Sequence, residues 1–197
     1  MKPDTKGKPG DRGKARDRIL DAAYELFAAQ GVAQVGIDKV IAKAGCAKAS
    51  LYNQFGSKDG LAIAFLEKRE ELWTDSWLRT EVELRAAKPE ARLLAVFDVF
   101  DEWFHSPEFE GCSFINVLLE SEHNSPVHSA SAEHLRRIRE ILRSYAELAG
   151  LDDLDRFTQV WHMFMKGSIV AAGEGHRSAA KDMRQAAETV LAAWPRR

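Results

Sequence analysis

Residues 36–58, Gly-Ile-Asp-Lys-Val-Ile-Ala-Lys-Ala-Gly-Cys-Ala-Lys-Ala-Ser-Leu-Tyr-Asn-Gln-Phe-Gly-Ser-Lys, constrain the fold more than any other stretch of the chain. Ile37, Val40, Ile41 and Ala44 recur at helical spacing and make one apolar stripe. Gly45 follows at once and can take the positive φ that ends a helix and turns the chain sharply. A second short helix is expected over residues 48–55, with Leu51 and Phe55 four residues apart on one face. That seating leaves Lys48, Ala49, Tyr52 and Asn53 on another face, which is small, polar or basic and carries no carboxylate. A helix-turn-helix offers such a face to a DNA major groove.

The neighbouring residues extend the pattern. Ile19, Ala22, Ala23, Leu26 and Phe27 form the stripe of a helix over residues 14–30, and Gly31 ends it. Ser57 is placed to cap a further helix starting at Lys58, whose early apolar residues are Leu61, Ala62 and Phe65. Taken together, residues 14–60 resemble the DNA-binding domain of the TetR family of bacterial one-component regulators. The resemblance implies a helix-turn-helix DNA-binding domain at 14–60. It also implies a helical effector-binding and dimerisation domain at 61–197, and a homodimer on double-stranded DNA.

The same resemblance places DNA contacts at Lys48, Ala49, Ser50, Tyr52, Asn53, Gln54 and Lys58, with Gly36 and Ala47 at the starts of the two helices. Among these Asn53 is the best base reader, because an amide pairs with adenine through two bonds. Departures from the family pattern fall within this set. The family usually has Thr or Ser where this chain has Gly36, and Ser where it has Ala47. It often has His or Tyr in place of Gln54, and Val in place of Cys46.

A formal charge of −2 over 197 residues argues by itself against a nucleic-acid partner. The distribution of that charge along the chain argues the other way. Residues 1–60 hold eleven Lys and Arg against seven Asp and Glu, whereas the remainder holds seventeen against twenty-three. A basic head on an acidic body suits a chain that docks one end onto phosphate. Residues 1–13, with Lys2, Lys6, Lys8 and Arg12, read as a disordered basic arm able to track phosphates.

Beyond Lys58 the pattern is helical throughout, about nine helices in all, and an all-α fold is expected. The fourth helix should run from Lys58 to about Leu84 as one rod touching head and body. Pro89 opens the next helix, in the first turn where proline is tolerated. Later helices are bounded by Pro107, Asn124-Ser125-Pro126, Gly150 and Gly173-Glu-Gly175.

The body is rich in aromatics. Trp73, Trp77, Phe100, Trp103, Phe104, Phe114, Trp161, Phe164 and Met165 are candidates to line an apolar pocket, with Asn116, Glu120, His123 and His162 as its orienting polar groups. A small hydrophobic effector of unknown identity is the expected ligand. Apolar and small residues on the last two helices, Trp161, Met165, Ile169 and Ala172 on one and Ala186, Val190 and Trp194 on the other, are the expected dimer face.

No Gly-rich phosphate loop, nucleophile elbow or paired-His zinc motif is present, so neither an enzyme nor a cofactor nor a metal is expected. No apolar run is long enough to span a bilayer. Cys46 and Cys112 read as free thiols of a reducing cytoplasm. The function expected is a ligand-responsive repressor on a palindromic operator. The alternatives are a constitutive or activating DNA binder, or a helical binding protein or enzyme that has lost DNA binding.

Overall fold

The computed structural model describes residues 9–107 and 109–197, and among these the chain is all-helical. In order come α1 (Pro9–Gln30), α2 (Ile37–Ala44), α3 (Lys48–Phe55), α4 (Lys58–Arg69), a π-helical stretch Glu70–Leu78 and α5 (Arg79–Arg85). Then follow α6 (Pro89–His105), α7 (Ser113–Glu120), α8 (Pro126–Leu148), α9 (Leu154–Gly173) and α10 (Ala179–Ala193). Counting the three consecutive segments over 58–85 as one gives nine helices among the described residues. The one isolated β-bridge among them joins Leu151 to Arg196.

Two compact units are present, and their limits differ from the division expected at residue 60. One comprises residues 1–69 and 115–131, the other 70–114 and 132–197. The first keeps all of α4 because Phe65 packs edge-on against both Phe27 and Tyr24, with centroids 5.6 Å away in each case. It also takes in the C-terminal part of α7. There the Glu120 carboxylate accepts a 3.1 Å hydrogen bond from the Ala33 N–H, in the turn after α1. Of the basic arm expected over 1–13, Pro9 to Gly13 belong to α1, where a proline suits the first turn. Lys2, Lys6 and Lys8 lie outside the described residues.

Within the first unit the core is Ile19, Ala23, Phe27, Val40, Leu51, Leu61 and Phe65, all buried. Gly31 stops α1 with φ 81°, and Gly45 stops α2 at φ 59°, ψ 40°. At Gly45 the helix ends as a left-handed cap requires: the Gly45 N–H donates to Ala42 and the Cys46 N–H to Ile41. Ser57 caps α4 as its sequence position suggests, its hydroxyl accepting from the Gly60 N–H at 3.0 Å.

The second unit is built on α6 and α9. Leu93, Phe97, Phe100 and Phe104 of α6 are buried, as are Phe157, Trp161 and Met165 of α9. The Trp161 indole donates to the Leu93 carbonyl at 3.3 Å, which satisfies the one polar atom of a fully buried side chain. The rod expected over Lys58–Leu84 is helical as far as Arg85, but its hydrogen-bond register changes from α to π at Glu70, where the two units divide.

Candidate nucleic-acid interface

The turn at Gly45 sets α3 with Leu51 fully buried beneath it. On its other side Ala47, Lys48, Ala49, Tyr52 and Asn53 are exposed, Tyr52 to 44%, while Ser50 and Gln54 are half-buried. Gly36, at the start of α2, is exposed as well. Phe55 is half-buried under the Arg16 guanidinium, whose carbon stands 5.3 Å from the ring centroid. The residues of α3 expected to meet DNA therefore share one continuous outer face. Lys58 is half-buried at the start of α4, with its ammonium 3.4 Å from the Ala33 carbonyl.

Two features of this face are not visible in the sequence. The Lys48 ammonium is paired with Asp38 of α2 at 3.0 Å, and that carboxylate raises the lysine's pKa, first by the hydrogen bond and then by its charge. The face of α3 carries no carboxylate of its own, yet one stands beside it. Asp38 sits in the first turn of α2, where it also suits the helix dipole. Secondly, both short helices start without a side-chain cap: Gly36 and Ala47 are extended, with φ −77° at each. The position usually filled by a capping hydroxyl is open at both.

Among the described residues, most of the rings expected to line an apolar pocket pack on one another. Trp73, Trp77, Phe100, Trp103 and Phe104 pack on one another and on Phe109, with neighbouring centroids between 4.9 and 6.5 Å. Phe114 stacks obliquely on His134, and Trp161 on Phe157, so these rings are core. Met165 is buried and Phe164 half-buried beside Trp161. Asn116, Glu120 and His123 are exposed and belong to the first unit, where Glu120 holds the Ala33 N–H instead. His162 is 2% exposed, and its Nδ1 lies 3.4 Å from the Arg139 guanidinium. Burial first, then the charges of Lys166 and Arg139, push its pKa down to about 3.

On α9 the expected dimer face is occupied by the chain's own core. Trp161, Met165, Ile169 and Ala172 are all buried within the chain itself. The exposed apolar stripe of α9 is Met163 at 57%, Gly167, and Val170 at 50%. On α10 Ala186 is exposed and Val190 half-buried, while the half-buried Trp194 donates to the Asp152 carbonyl and packs edge-on against Phe157.

Two short helices meeting at a left-handed glycine, with a polar and basic face on the second and a buried seat beneath it, define a helix-turn-helix protein. Residues 19–65 match the family described as bacterial regulatory proteins, tetR family. The HTH-type transcriptional regulator Rv1255c of Mycobacterium tuberculosis is 41% identical over 54 residues, which is 27% of each chain. The HTH-type transcriptional regulator SrpR of Pseudomonas putida is 30% identical over 135 residues, 66% of this chain and 60% of its own. The matched region thus spans only part of these relatives, from 27% to 60% of their length. Over the whole fold, SCO4454, a TetR-family regulator from Streptomyces coelicolor, superposes with a TM-score of 0.77 at 26% identity. That superposition covers 91% of this chain and 95% of the other. The chain belongs to the TetR family. Among the described residues no helix is long and apolar enough to cross a membrane.

Proposed function

We propose that this chain is a homodimeric transcriptional repressor that reads a palindromic operator through α3 and is released by a small-molecule effector bound in its second unit. The observation that carries the reading is the exposed face of α3 above a fully buried Leu51. Asn53 reads adenine in the major groove, and Lys48, once parted from Asp38, reads guanine or holds phosphate. Tyr52 and Lys58 hold the backbone and set register. Gly36, Ala47 and Ala49 are small, and with Ser50 and Gln54 they let α3 approach the groove closely.

Dimerisation is assigned to the exposed stripe Met163, Gly167 and Val170 of α9 with Ala186 and Val190 of α10. This keeps Ala186 and Val190 from the expected face and replaces Trp161, Met165, Ile169 and Ala172, which are buried within the chain. A two-fold axis there would hold two α3 helices about one DNA turn, ~34 Å, apart. A dimer lying across a promoter denies it to polymerase, and an effector that favours mis-spaced heads relieves the block. Full relief requires the effector to prefer the released state by about 5 kcal/mol.

A gel-shift titration on DNA upstream of the protein's own gene, and on palindromes selected from random DNA, tests this. A salt-sensitive shift weakened at least about tenfold by Asn53→Ala supports it, since one bidentate base contact is worth about 1–3 kcal/mol. Absence of any shift, or full affinity in both Lys48→Ala and Asn53→Ala, refutes it.

A further inference from the structure

We propose that the groove between the π-helical stretch and α8 binds a small organic ammonium ion through its N–H donors. This rests on the assignment of the second unit as effector-binding, and it gives that effector a chemical class. The groove has a volume of about 470 Å³, within the range of small-ligand sites. Its charged lining is four carboxylates, Glu70, Asp75, Glu83 and Glu140, against two guanidinium groups, Arg79 and Arg137. Both of these cations already have a carboxylate partner. Arg137 donates to the buried Glu70 at 2.6 Å, and His134 approaches the same oxygen at 2.6 Å. Glu140 is paired with Arg136. Arg79 makes a loose ion pair with Asp75, at 3.9 Å and without a hydrogen bond. Glu83 accepts only from the neutral Tyr145 hydroxyl, at 3.2 Å, among its described contacts. Glu83 is thus the carboxylate of the groove with no cationic partner among its described contacts, and Asp75 is only loosely paired.

An independent feature points the same way. Thr74 also lines the groove, is 1% exposed, and its hydroxyl has no hydrogen-bond partner among the described residues. A buried hydroxyl without a partner is a costly arrangement that a ligand N–H would relieve. The carboxylate excess disfavours anions. A quaternary ammonium finds no aromatic cage here, because the Arg92 guanidinium already covers the Tyr145 ring, 5.5 Å from its centroid. Beside the groove Leu78, Val82, Val96 and Met165 form an apolar wall around only about 10 Å³ of space, and Arg79, Ile141 and Tyr145 are shared with the groove. An amine with a short alkyl chain matches both parts: N–H donors for Asp75, Glu83 and Thr74, and methylenes for the apolar wall.

The test is calorimetric titration of the full chain, without DNA, with hexylammonium, spermidine, hexyltrimethylammonium and hexanoate. Saturable binding of hexylammonium or spermidine is expected, at least about tenfold tighter than the trimethyl compound, with none for hexanoate. Glu83→Gln, which keeps an acceptor for Tyr145, and Thr74→Val, which keeps the side-chain shape, should each weaken it, the first by about tenfold. Melting temperatures of both variants confirm that they fold. No binding by either amine, equal binding of hexanoate, or affinities untouched in both variants overturns the proposal. Because the titration contains no DNA, such a failure leaves the operator result standing on its own.

Discussion

Lowering the pH should destabilise this protein through one side chain, His162. Its ring is 2% exposed on α9, and its Nδ1 faces the Arg139 guanidinium at 3.4 Å. That geometry suits a neutral imidazole accepting from Arg139 and penalises an imidazolium beside two further cations. Burial, then Lys166, then Arg139 hold its pKa at about 3 in the folded chain. In the unfolded chain the ring takes up its proton at about 6.5. Protons therefore bind the unfolded state preferentially, so stability is complete above about pH 7 and drains away as pH falls from about 6.5 towards 3. Each unit of pH in that window costs about 1.4 kcal/mol, which amounts to about 2 kcal/mol at pH 5. Urea unfolding followed by tryptophan fluorescence at about pH 8 and about pH 5 measures the loss. His162→Gln keeps an acceptor for Arg139 and cannot ionise. The wild-type chain should lose about 2 kcal/mol more than this variant between the two pH values. Parallel losses in the two proteins would show that the ring is protonated in the folded state or that its burial is not what holds it neutral.

Other substitutions probe the head and the proposed dimer. Ala47→Ser supplies the missing cap of α3 at an extended residue, and should raise stability by about 1 kcal/mol in thermal melts. Asp38→Asn frees Lys48 from its 3.0 Å partner, so DNA affinity at low salt should rise, and the slope of log affinity against log salt should steepen by about 1. Gly31→Ala meets both a φ of 81° and Glu120, whose Oε1 lies 2.7 Å from the new Cβ, and should cost about 1–3 kcal/mol in urea melts. Val170→Asp puts a charge on the exposed stripe of α9 and should shift sedimentation from dimer to monomer at micromolar concentration while leaving the helical circular-dichroism signal intact. An unchanged sedimentation profile would place the interface elsewhere.

Local chemistry made the head legible. Gly45 must turn because a left-handed φ is cheap only there, and Leu51 must be buried because it is the apolar residue central to its short helix. Ser57 announces the start of α4 by the same local logic. The family resemblance rested on these residues, and the matched region, 19–65, falls on them. The body was legible as helices but not as a site. On α9 two neighbouring stripes are apolar, Trp161-Met165-Ile169-Ala172 and Met163-Gly167-Val170, and a period of 3.6 cannot rank them. Packing against α6 put the first inside and left the second outside, because the larger side chains bury more apolar area against Leu93 and Phe97.

Sequence alone thus determined where α2 and α3 begin and end and which side of α3 faces outward, since those outcomes depend on neighbours within one or two turns, whereas α1 starts at Pro9, earlier than its stripe suggested. Tertiary structure decided the rest by joining residues far apart in the chain. It joined Glu120 to Ala33 across 87 positions and set Asp38 beside Lys48. It also brought Glu70, Asp75 and Glu83 to Glu140 of α8 around one groove. Charge and hydrogen bonding act through space, so such groupings exist only once the helices have packed.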